Sequence, residues 1–362
     1  MTRLLVAAGG GGDVIGTTLV HHALHGEEPA VVLSYSWERL VVDPIPGPRR
    51  ERDFTGVRPL TPQVSRITSG SATVAPAGST LPRLAGELPV TLALLNPYGG
   101  VTHLARQITE TVEKYAVEQV EVVDVGGDVF ARGDEATLLS PLPDALVIAA
   151  CATAGVPASV CVAGPGLDGE IPEPDLLAAM GTDHVTLTEA DTRGVEHVFH
   201  WHPSEASALL AAAARGLRGG CVVRDTGKPV VLSDASARVY RIPLDRVLAR
   251  NRLAHALWSR GSDTLEDAEK TSWDICGFSE LQRERDRSLR VEEGAPDGSV
   301  DEAVRGLDPW LEQLRAANPQ ARYVTFRCLA EGLGLSGAAA GSLRTRLIEE
   351  RPRQYCAPLF SL

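Results

Sequence analysis

The sequence predicts an α/β protein built on an open, mostly parallel, doubly wound (Rossmann-like) sheet with a helical C-terminal extension. Before Pro243, short apolar runs alternate with helical patterns of roughly 10–15 residues, as in successive βαβ units. Several of these runs are continuously apolar, which is typical of strands that helices cover on both faces. From Pro243 onward the pattern becomes helical and rich in charged residues.

The individual elements follow from this periodicity. Strands are predicted where apolar runs are bounded by Gly, Pro or polar residues, at Arg3–Ala8, Ala30–Ser34, Val90–Leu95, Gln119–Asp124, Val156–Ala163, Gly220–Arg224, Val230–Ser233 and Arg238–Ile242. Helices are predicted where apolar residues recur at helical spacing, at Asp13–His25, Val101–Val117, Pro141–Ala154, Pro172–Met180 and Glu205–Leu217. We therefore divide the chain into an α/β domain, 1–242, and a mainly helical extension, 243–362, packed on it.

Residues 43–82 interrupt the alternation of strands and helices. This insert is rich in Pro, Gly, Ser and Thr, a composition that favours a lid or a long surface loop over a core element. The stretch from Asp263 to Glu302 is strongly acidic, which is typical of a solvated helical face.

Composition excludes several classes of protein. Hydrophobic residues make up 44% and charged residues 23% of the 362, enough for a substantial core, which excludes general disorder. The net charge of −12 disfavours binding to nucleic acid or to an anionic membrane surface. The chain contains neither the ~18-residue apolar run that a membrane span needs nor a cleavable N-terminal segment, so we expect a cytoplasmic protein.

Polar loops, most of them rich in glycine, follow the strands at one edge of the predicted sheet. In an open parallel sheet, ligands bind beyond the carboxyl ends of the strands, near the point where the strand order reverses. The convergence of these loops therefore predicts a binding site at that edge. The loops are Gly9–Asp13, Ser34–Glu38, Asn96–Thr102, Asp124–Asp128 and Gly164–Glu170.

The first of them, Gly9–Asp13, is a candidate site for a phosphate or a carboxylate, because its backbone N–H groups lead into a helix N-terminus. Asp13 is expected to cap that helix, and its charge weakens binding of a bare phosphate. The loop departs from the GxGxxG dinucleotide fingerprint, since Ile15 stands at the third glycine position and Gly16 one residue later. A purely structural tight turn is the alternative. The predicted ligand-binding residues are Gly10, Gly11, Gly12 and Asp13.

A second cluster, rich in acidic residues, follows the strand Gln119–Asp124. Carboxylates on a glycine-rich loop suit a hard cation such as Mg²⁺, with Asp124 and Asp128 as candidate ligands, or the hydroxyl and amine groups of a substrate. The alternative is that these aspartates cap turns and the following helix. The predicted ligand-binding residues here are Asp124, Gly126, Gly127, Asp134 and Asp168.

The third candidate region is the loop Asn96–Thr102, whose predicted ligand-binding residues are Asn96, Gly100 and Thr102. His103 directly after it is a candidate acid or base, with an ordinary surface histidine at a helix start as the alternative. The predicted catalytic residues are Asp128, His103 and Glu135. His200 and His202 would share one face of a strand and suit a metal pair, but no third ligand is evident, so ordinary histidines are favoured.

Three motifs resemble a widespread bacterial and archaeal family catalogued as a domain of unknown function. They are GGGGD at Gly9–Asp13, DVGGDVFARGDEATLLSPLPDA from Asp124 to Ala145, and GPGLDGE at Gly164–Glu170. The resemblance covers roughly residues 1–250. It implies an α/β fold and supports treating these loops as the site, but it implies no reaction.

These features predict an enzyme acting on a small polar metabolite that bears phosphate, nucleotide or carboxylate. Ligase, transferase or cyclase chemistry fits best, because no redox fingerprint is intact. Gly9–Asp13 would hold the anion, the acidic cluster would bind Mg²⁺ or orient the substrate, and His103 or Asp128 would transfer protons. The sequence identifies no cofactor; Mg²⁺ and a nucleotide are the candidates that suit these loops.

Two further hypotheses stay open. The same cleft would serve a non-catalytic accessory or sensor protein that binds a small molecule. The helical patterns at Tyr323–Leu333 and Gly337–Glu349 suit a DNA-binding regulator, which the acidity of the chain disfavours. The expected partner is a small-molecule substrate. No membrane partner is expected, and nucleic acid is disfavoured. Self-association into a homo-oligomer is left open.

Overall fold

The computed structural model describes residues 1–224, 229–291 and 298–362. Its strands are β1 (Arg3–Ala7), β2 (Ala30–Tyr35), β3 (Phe54–Thr55), β4 (Arg58–Pro59), β5 (Ser65–Arg66), β6 (Ala72–Thr73), β7 (Thr91–Leu95), β8 (Val120–Val125), β9 (Ala158–Ala163), β10 (His184–Thr186), β11 (Gly219–Val222), β12 (Pro229–Leu232), β13 (Arg238–Pro243), β14 (Ala321–Val324), β15 (Tyr355–Cys356) and β16 (Leu359–Ser361).

The α-helices of the described residues alternate with these strands and then fill most of the C-terminal part. They are α1 (Asp13–His25), α2 (Leu81–Glu87), α3 (Gly100–Tyr115), α4 (Pro141–Ala154), α5 (Glu173–Met180), α6 (Glu189–Thr192), α7 (Glu205–Ala214), α8 (Leu244–Arg250), α9 (Arg252–Arg260), α10 (Leu265–Cys276), α11 (Glu280–Val291), α12 (Val300–Ala317), α13 (Phe326–Gly332) and α14 (Gly337–Glu350). Within the described ranges, no helix has the length and apolarity needed to cross a membrane.

The central sheet has the strand order β10-β13-β9-β8-β1-β2-β7-β5-β4. Strands β9, β8, β1, β2 and β7 run parallel to one another, and antiparallel strands extend both edges. Numbered along the chain, the five parallel strands lie in the spatial order 3-2-1-4-5, which is the doubly wound order with its switch point between β1 and β8. The predicted fold class is confirmed.

Both faces of the central strands are buried, which explains their continuous apolar runs. Along β8, Val122 packs into the core with Leu104 of α3 and Leu146 of α4, whereas Val123 faces the opposite core with α1 and α7. Because successive side chains of a strand point to opposite faces, these runs are apolar at most positions, and β8 departs from this pattern at Glu121 and Asp124. The strands predicted up to Ala163 all form, within two residues of their predicted ends.

Helix α4 is apolar nearly all round because it packs between α3 and α9 over the sheet. Its residues from Pro141 to Cys151 are buried, and Asp144 is its single charged residue. A helix buried on all sides rarely carries a charge unless the charge has a partner or a function.

Part of the chain that was expected to extend the central sheet forms a second sheet instead. Strands β11 and β12 were predicted, but they lie in a five-stranded sheet of order β12-β11-β14-β16-β15. The C-terminal region is mainly helical, as expected, yet it adds these strands, and Tyr323 lies in β14 instead of starting a helix. The reason is tertiary, since Val324 and Phe360 complete a separate core with Leu329.

The insert 43–82 is not simply a surface loop. Its segment β5 pairs with β7 and β4 pairs with β5, so that the insert extends the edge of the central sheet. Val64 and Ile67 are buried on opposite sides of that sheet and hold the segment in place.

Helix α1 approaches β8 closely because residue 16 is glycine. A Cβ atom built on Gly16 would lie 2.2 Å from Cγ2 of Val125. Gly16 therefore provides the close helix–strand packing that the third glycine of the dinucleotide fingerprint provides in other folds, one position later in the chain.

We expect Gly16→Ala to lower the free energy of unfolding by about 1–3 kcal/mol, since the added methyl group must displace α1 or Val125. The matched control is Gly341→Ala in α14, where a Cβ meets nothing within 4 Å and the better helix former stabilises by about 0.5–1 kcal/mol. Urea unfolding measures both. Equal effects of the two substitutions would show that the approach of α1 to β8 is not close-packed.

Candidate functional site

Three aspartates from three elements meet at the switch point of the sheet. Asp13 is the first residue of α1, Asp124 lies near the end of β8, and Asp144 lies in the first turn of α4. One carboxylate oxygen from each lies within 4.8 Å of the others. We call these residues the acidic triad.

The two inner members of the triad are buried with unsatisfied oxygens. Asp124 is 2% and Asp144 is 1% exposed, and in the described part of the chain neither Oδ2 of Asp124 nor Oδ1 of Asp144 has a hydrogen-bond partner. Leaving a buried polar atom without a partner costs free energy, more so when it carries charge. Asp13 is partly exposed and forms the open side of the group.

Further carboxylates surround the triad. Asp128, on the turn after β8, is 6% exposed and shares a hydrogen bond with Asp124. Oδ2 of Asp168 also has no hydrogen-bond partner among the described residues. A Cβ atom built on Gly126 would lie only 2.2 Å from this oxygen. Gly126 has a φ of 127°, so both space and backbone conformation require glycine there.

Glu170 differs from these residues because its carboxylate is satisfied. It accepts hydrogen bonds from the backbone N–H groups of Leu139, at 2.7 Å, and Ser140, at 3.0 Å. The Ser140 hydroxyl donates to it as well. Glu170 thus holds the segment that leads into α4 and positions Asp144.

Burial and mutual repulsion keep the cluster from being fully ionised. Burial, followed by the charges of neighbouring carboxylates, raises the pKa values of Asp124, Asp128 and Asp144 well above 3.8. Burial is also the main cause that raises the pKa of Asp13 to about 7 and that of Asp168 to about 8.

Two groups from other parts of the chain join this electrostatic environment. Burial, with the charges of Glu284 and Glu170, raises the pKa of Glu280 at the start of α11. The positive charge of Arg39, on the segment after β2, acts in the opposite direction on both Asp13 and Glu280. The surroundings of the triad are therefore strongly acidic, with Arg39 as a nearby cation.

The loop Gly9–Asp13 is built differently from the expectation. Gly12, not Asp13, occupies the N-cap position, and Oδ2 of Asp13 accepts from the backbone N–H of Gly9 at 2.8 Å. The predicted capping role of Asp13 is wrong because its own N–H donates to Gly10 and places it inside the helix. A Cβ on Gly11 would lie 2.6 Å from Oε1 of Glu38, so close packing alone requires a glycine there.

The loop after β7 is engaged in contacts of its own. Thr102 donates to Asp263 at 2.8 Å, Gly100 packs on Ser262, and Asn96 accepts from the N–H of Tyr98 at 3.1 Å. Strand β2 separates β7 from β1, about 10 Å across two strand spacings. The structure does not bring these residues to the triad.

The same holds for His103. Burial and the charge of Arg106 lower the pKa of His103, and the carboxylate that acts on it is Glu110 of its own helix. Neither neighbour belongs to the acidic cluster.

Asp134 and Glu135 also lie apart from the triad. Asp134 is exposed and pairs with Arg132 at 3.0 Å and Arg252 at 3.4 Å. Glu135 accepts hydrogen bonds from the backbone N–H groups of Arg132 and Gly133. Both line a pocket of about 340 Å³ together with Leu138, Cys276, Phe278 and Arg283.

Sequence reasoning missed Asp144 and Glu280. The available signal for Asp144 was a single charge in an otherwise apolar helix that directly follows the acidic loop. Glu280 carries no such signal, because it lies in a stretch where acidic residues are common.

The metal-free protein is expected to lose stability as pH rises. The carboxyl groups of Asp13 and Asp168 ionise near pH 7 and 8 in the folded chain but near 3.8 when unfolded, so above pH 3.8 the folded state binds more protons. The contribution of these two groups to the free energy of unfolding is complete below pH 3.8 and is lost as the pH rises to about 8.

Thermal unfolding with EDTA across this range measures the effect. Added Mg²⁺ should raise the melting temperature more at the alkaline end, because the cation displaces protons from the same oxygens. Sodium chloride at matched ionic strength is the control. A Mg²⁺ response that is largest at acidic pH would contradict the expectation.

Searches of curated proteins and of solved structures found no match. A family model, by contrast, matches residues 4–288, which include the triad, all strands of the central sheet and most of α11. The match extends beyond residue 250, where the resemblance noted in the sequence was expected to end. The chain therefore belongs to the family described as protein of unknown function (DUF1152).

Proposed function

We propose that this protein is an enzyme that binds a divalent cation of the Mg²⁺ class at the acidic triad. The cation holds and activates the phosphate, nucleotide or carboxylate group of a small polar metabolite. The observation that carries the proposal is the convergence of three carboxylate oxygens within 4.8 Å, in which Asp124 and Asp144 each bury an oxygen without a partner.

The donor set indicates the kind of cation. The triad offers carboxylate oxygens without imidazole or thiolate, which suits Mg²⁺, Mn²⁺ or Ca²⁺ better than Zn²⁺. Oxygens bound to one Mg²⁺ lie at most about 4 Å apart, since each bond is about 2.1 Å long. The triad oxygens, which lie within 4.8 Å of one another, would need to approach by less than about 1 Å to reach that separation.

The charge of the cleft indicates how an anionic substrate would bind. A bare phosphate or carboxylate is repelled by the surrounding acids, and the N–H of Gly9 is already bonded to Asp13. Asp13, Asp124 and Asp144 would hold the divalent cation, and its charge would offset this repulsion and attract the anionic group of the substrate. Arg39 supplies further positive charge close enough to lower the pKa of Asp13.

Asp128 is the residue proposed to transfer protons. It lies outside the triad, shares a hydrogen bond with Asp124, and its pKa is raised by burial and by the charges of Asp144 and Asp124. A carboxyl group with a raised pKa beside a cation suits general acid–base work near neutral pH. In ligase, transferase or cyclase chemistry, it would deprotonate the nucleophile while the cation stabilises charge on the reacting group.

Asp144→Asn tests the cation site. The variant keeps the shape of the side chain and removes one charge, so we expect the affinity for Mg²⁺ and Mn²⁺ to fall at least roughly tenfold. The metal-free variant should be more stable than wild type at alkaline pH, because repulsion by Asp124 and Asp13 is removed. Calorimetric titration and thermal unfolding measure the two effects.

The matched control is Asp134→Asn, an exposed aspartate of the loop after β8 that lies outside the triad. It should leave cation affinity unchanged. Wild-type protein that binds neither Mg²⁺ nor Mn²⁺, or an Asp144→Asn variant that binds them as wild type does, would overturn the proposed cation site.

Asp128→Asn separates an enzyme from a binding protein. We expect turnover to fall by about 10²–10⁴, the usual contribution of a general acid or base, with a smaller loss of cation affinity than in Asp144→Asn. The assay incubates wild type and variant with Mg²⁺, ATP and a panel of phosphorylated and carboxylated metabolites, followed by mass spectrometry. Wild-type protein that binds a metabolite and returns it unaltered would favour the accessory or sensor hypothesis.

A further inference from the structure

A small polar cavity lies between the start of α7 and the second sheet. Its walls include His202, Ser204 and Glu205 on one side and Thr325, Phe326 and Arg344 on the other. The cavity volume open to the centre of a water molecule is about 10 Å³. This volume has room for one small ion or molecule. The wall residue Ser204 also borders the glycine loop, since a Cβ on Gly12 would lie 3.0 Å from its hydroxyl.

His202 lines this cavity and carries an unsatisfied donor. The side chain is buried, and its Nδ1 accepts a hydrogen bond from the N–H of Ser204 at 3.1 Å. Burial, with the positive charges of Arg344 and Arg83, lowers the pKa of His202 to about 3, so the ring is neutral. A neutral ring that accepts at Nδ1 carries its proton on Nε2. In the described ranges, Nε2 has no partner.

Arg344 brings a positive charge to the same cavity. Its guanidinium lies 4.9 Å from the ring centre of Phe326 and donates to the carbonyl of Phe199. Neither contact neutralises a charge, and among the described residues no carboxylate lies within ion-pair distance of it. Burial lowers the pKa of Arg344 to about 10, which still leaves it charged at neutral pH.

The carboxylate in the cavity wall does not compensate Arg344. Glu205 accepts from the N–H of Arg224 at 3.0 and 3.1 Å and from the hydroxyl of Thr325, and it lies 3.8 Å from the guanidinium of Arg327. Its charge is therefore shared with the N–H of Arg224, the hydroxyl of Thr325 and the guanidinium of Arg327. The cavity is thus lined both by a residue with an unpartnered N–H donor and by a cation without a carboxylate partner among the described residues.

We infer that this cavity binds one small monovalent anion of the chloride class, between Nε2 of His202 and the guanidinium of Arg344. An anion accepts from both groups and compensates the charge of the partly buried Arg344, whereas a water molecule satisfies the donor and leaves that charge uncompensated. The anion would join the start of α7 to α14, and so would stabilise the packing of the second sheet unit beside the glycine loop.

The first experiment compares melting temperatures in sodium chloride, sodium bromide and sodium gluconate at equal ionic strength. EDTA is present throughout, so the result does not depend on the acidic triad. Gluconate is too large for the cavity. We expect chloride and bromide to raise the melting temperature by roughly 2–5 °C with saturation, as for a ligand that binds only the folded state. Equal melting temperatures in all three salts would overturn the inference.

Variants separate this site from general salt effects. His202→Phe keeps a buried ring but removes the donor, and it should abolish the chloride response, as should Arg344→Met. The matched control is His200→Phe, the same substitution at an exposed histidine of the same turn, which should keep the response. A chloride response that survives in His202→Phe would refute the proposed location.

Crystals grown in sodium bromide give a direct readout. An anomalous peak between His202 and Arg344 is expected in the wild-type protein and not in His202→Phe. A well-ordered water at that position without anomalous signal would show that the cavity satisfies His202 with water only, and would overturn the inference.

Discussion

The repulsion among buried carboxylates at the switch point is the constraint on which the organisation of this molecule depends. Asp124 and Asp144 are held in the interior by β8 and α4, and neither residue has a basic partner among the charges that shift its pKa. Holding these carboxyl groups away from water and from a counter-charge therefore costs free energy. Such an arrangement is typical of a site whose ligand supplies the missing positive charge.

The rest of the fold offsets this cost by packing. Strand β8 contributes valines to the cores on both faces of the sheet, and α4 buries its apolar side chains from Leu142 to Cys151 against α3, α9 and the sheet. Burial of each valine, leucine or isoleucine among these side chains is worth about 1.5–3 kcal/mol. Apolar burial next to the site is thus large enough to hold the two aspartates in place.

The buried carboxylates Glu170, Glu38, Asp124 and Asp144 divide into two groups by their partners. Glu170 and Glu38 accept several hydrogen bonds and organise the segments beside the site: Glu170 the approach to α4, Glu38 the start of α2 through the N–H and hydroxyl of Thr80. Asp124 and Asp144, by contrast, keep oxygens without a partner in the described structure. The difference separates supporting carboxylates from those available to a ligand.

The sequence by itself determined the fold class, the strands of the parallel sheet and the edge of that sheet at which the candidate site lies. Periodicity and glycine positions are local, so they determine which residues form strands and which loops follow them. Only the tertiary structure decided that Asp144 joins Asp13 and Asp124, that Asp134, Glu135 and His103 lie elsewhere, and that β11 and β12 belong to a second sheet. These outcomes depend on packing between segments far apart in the chain, such as α4 beside β8 or β14 beside β11, and no local pattern encodes such pairings.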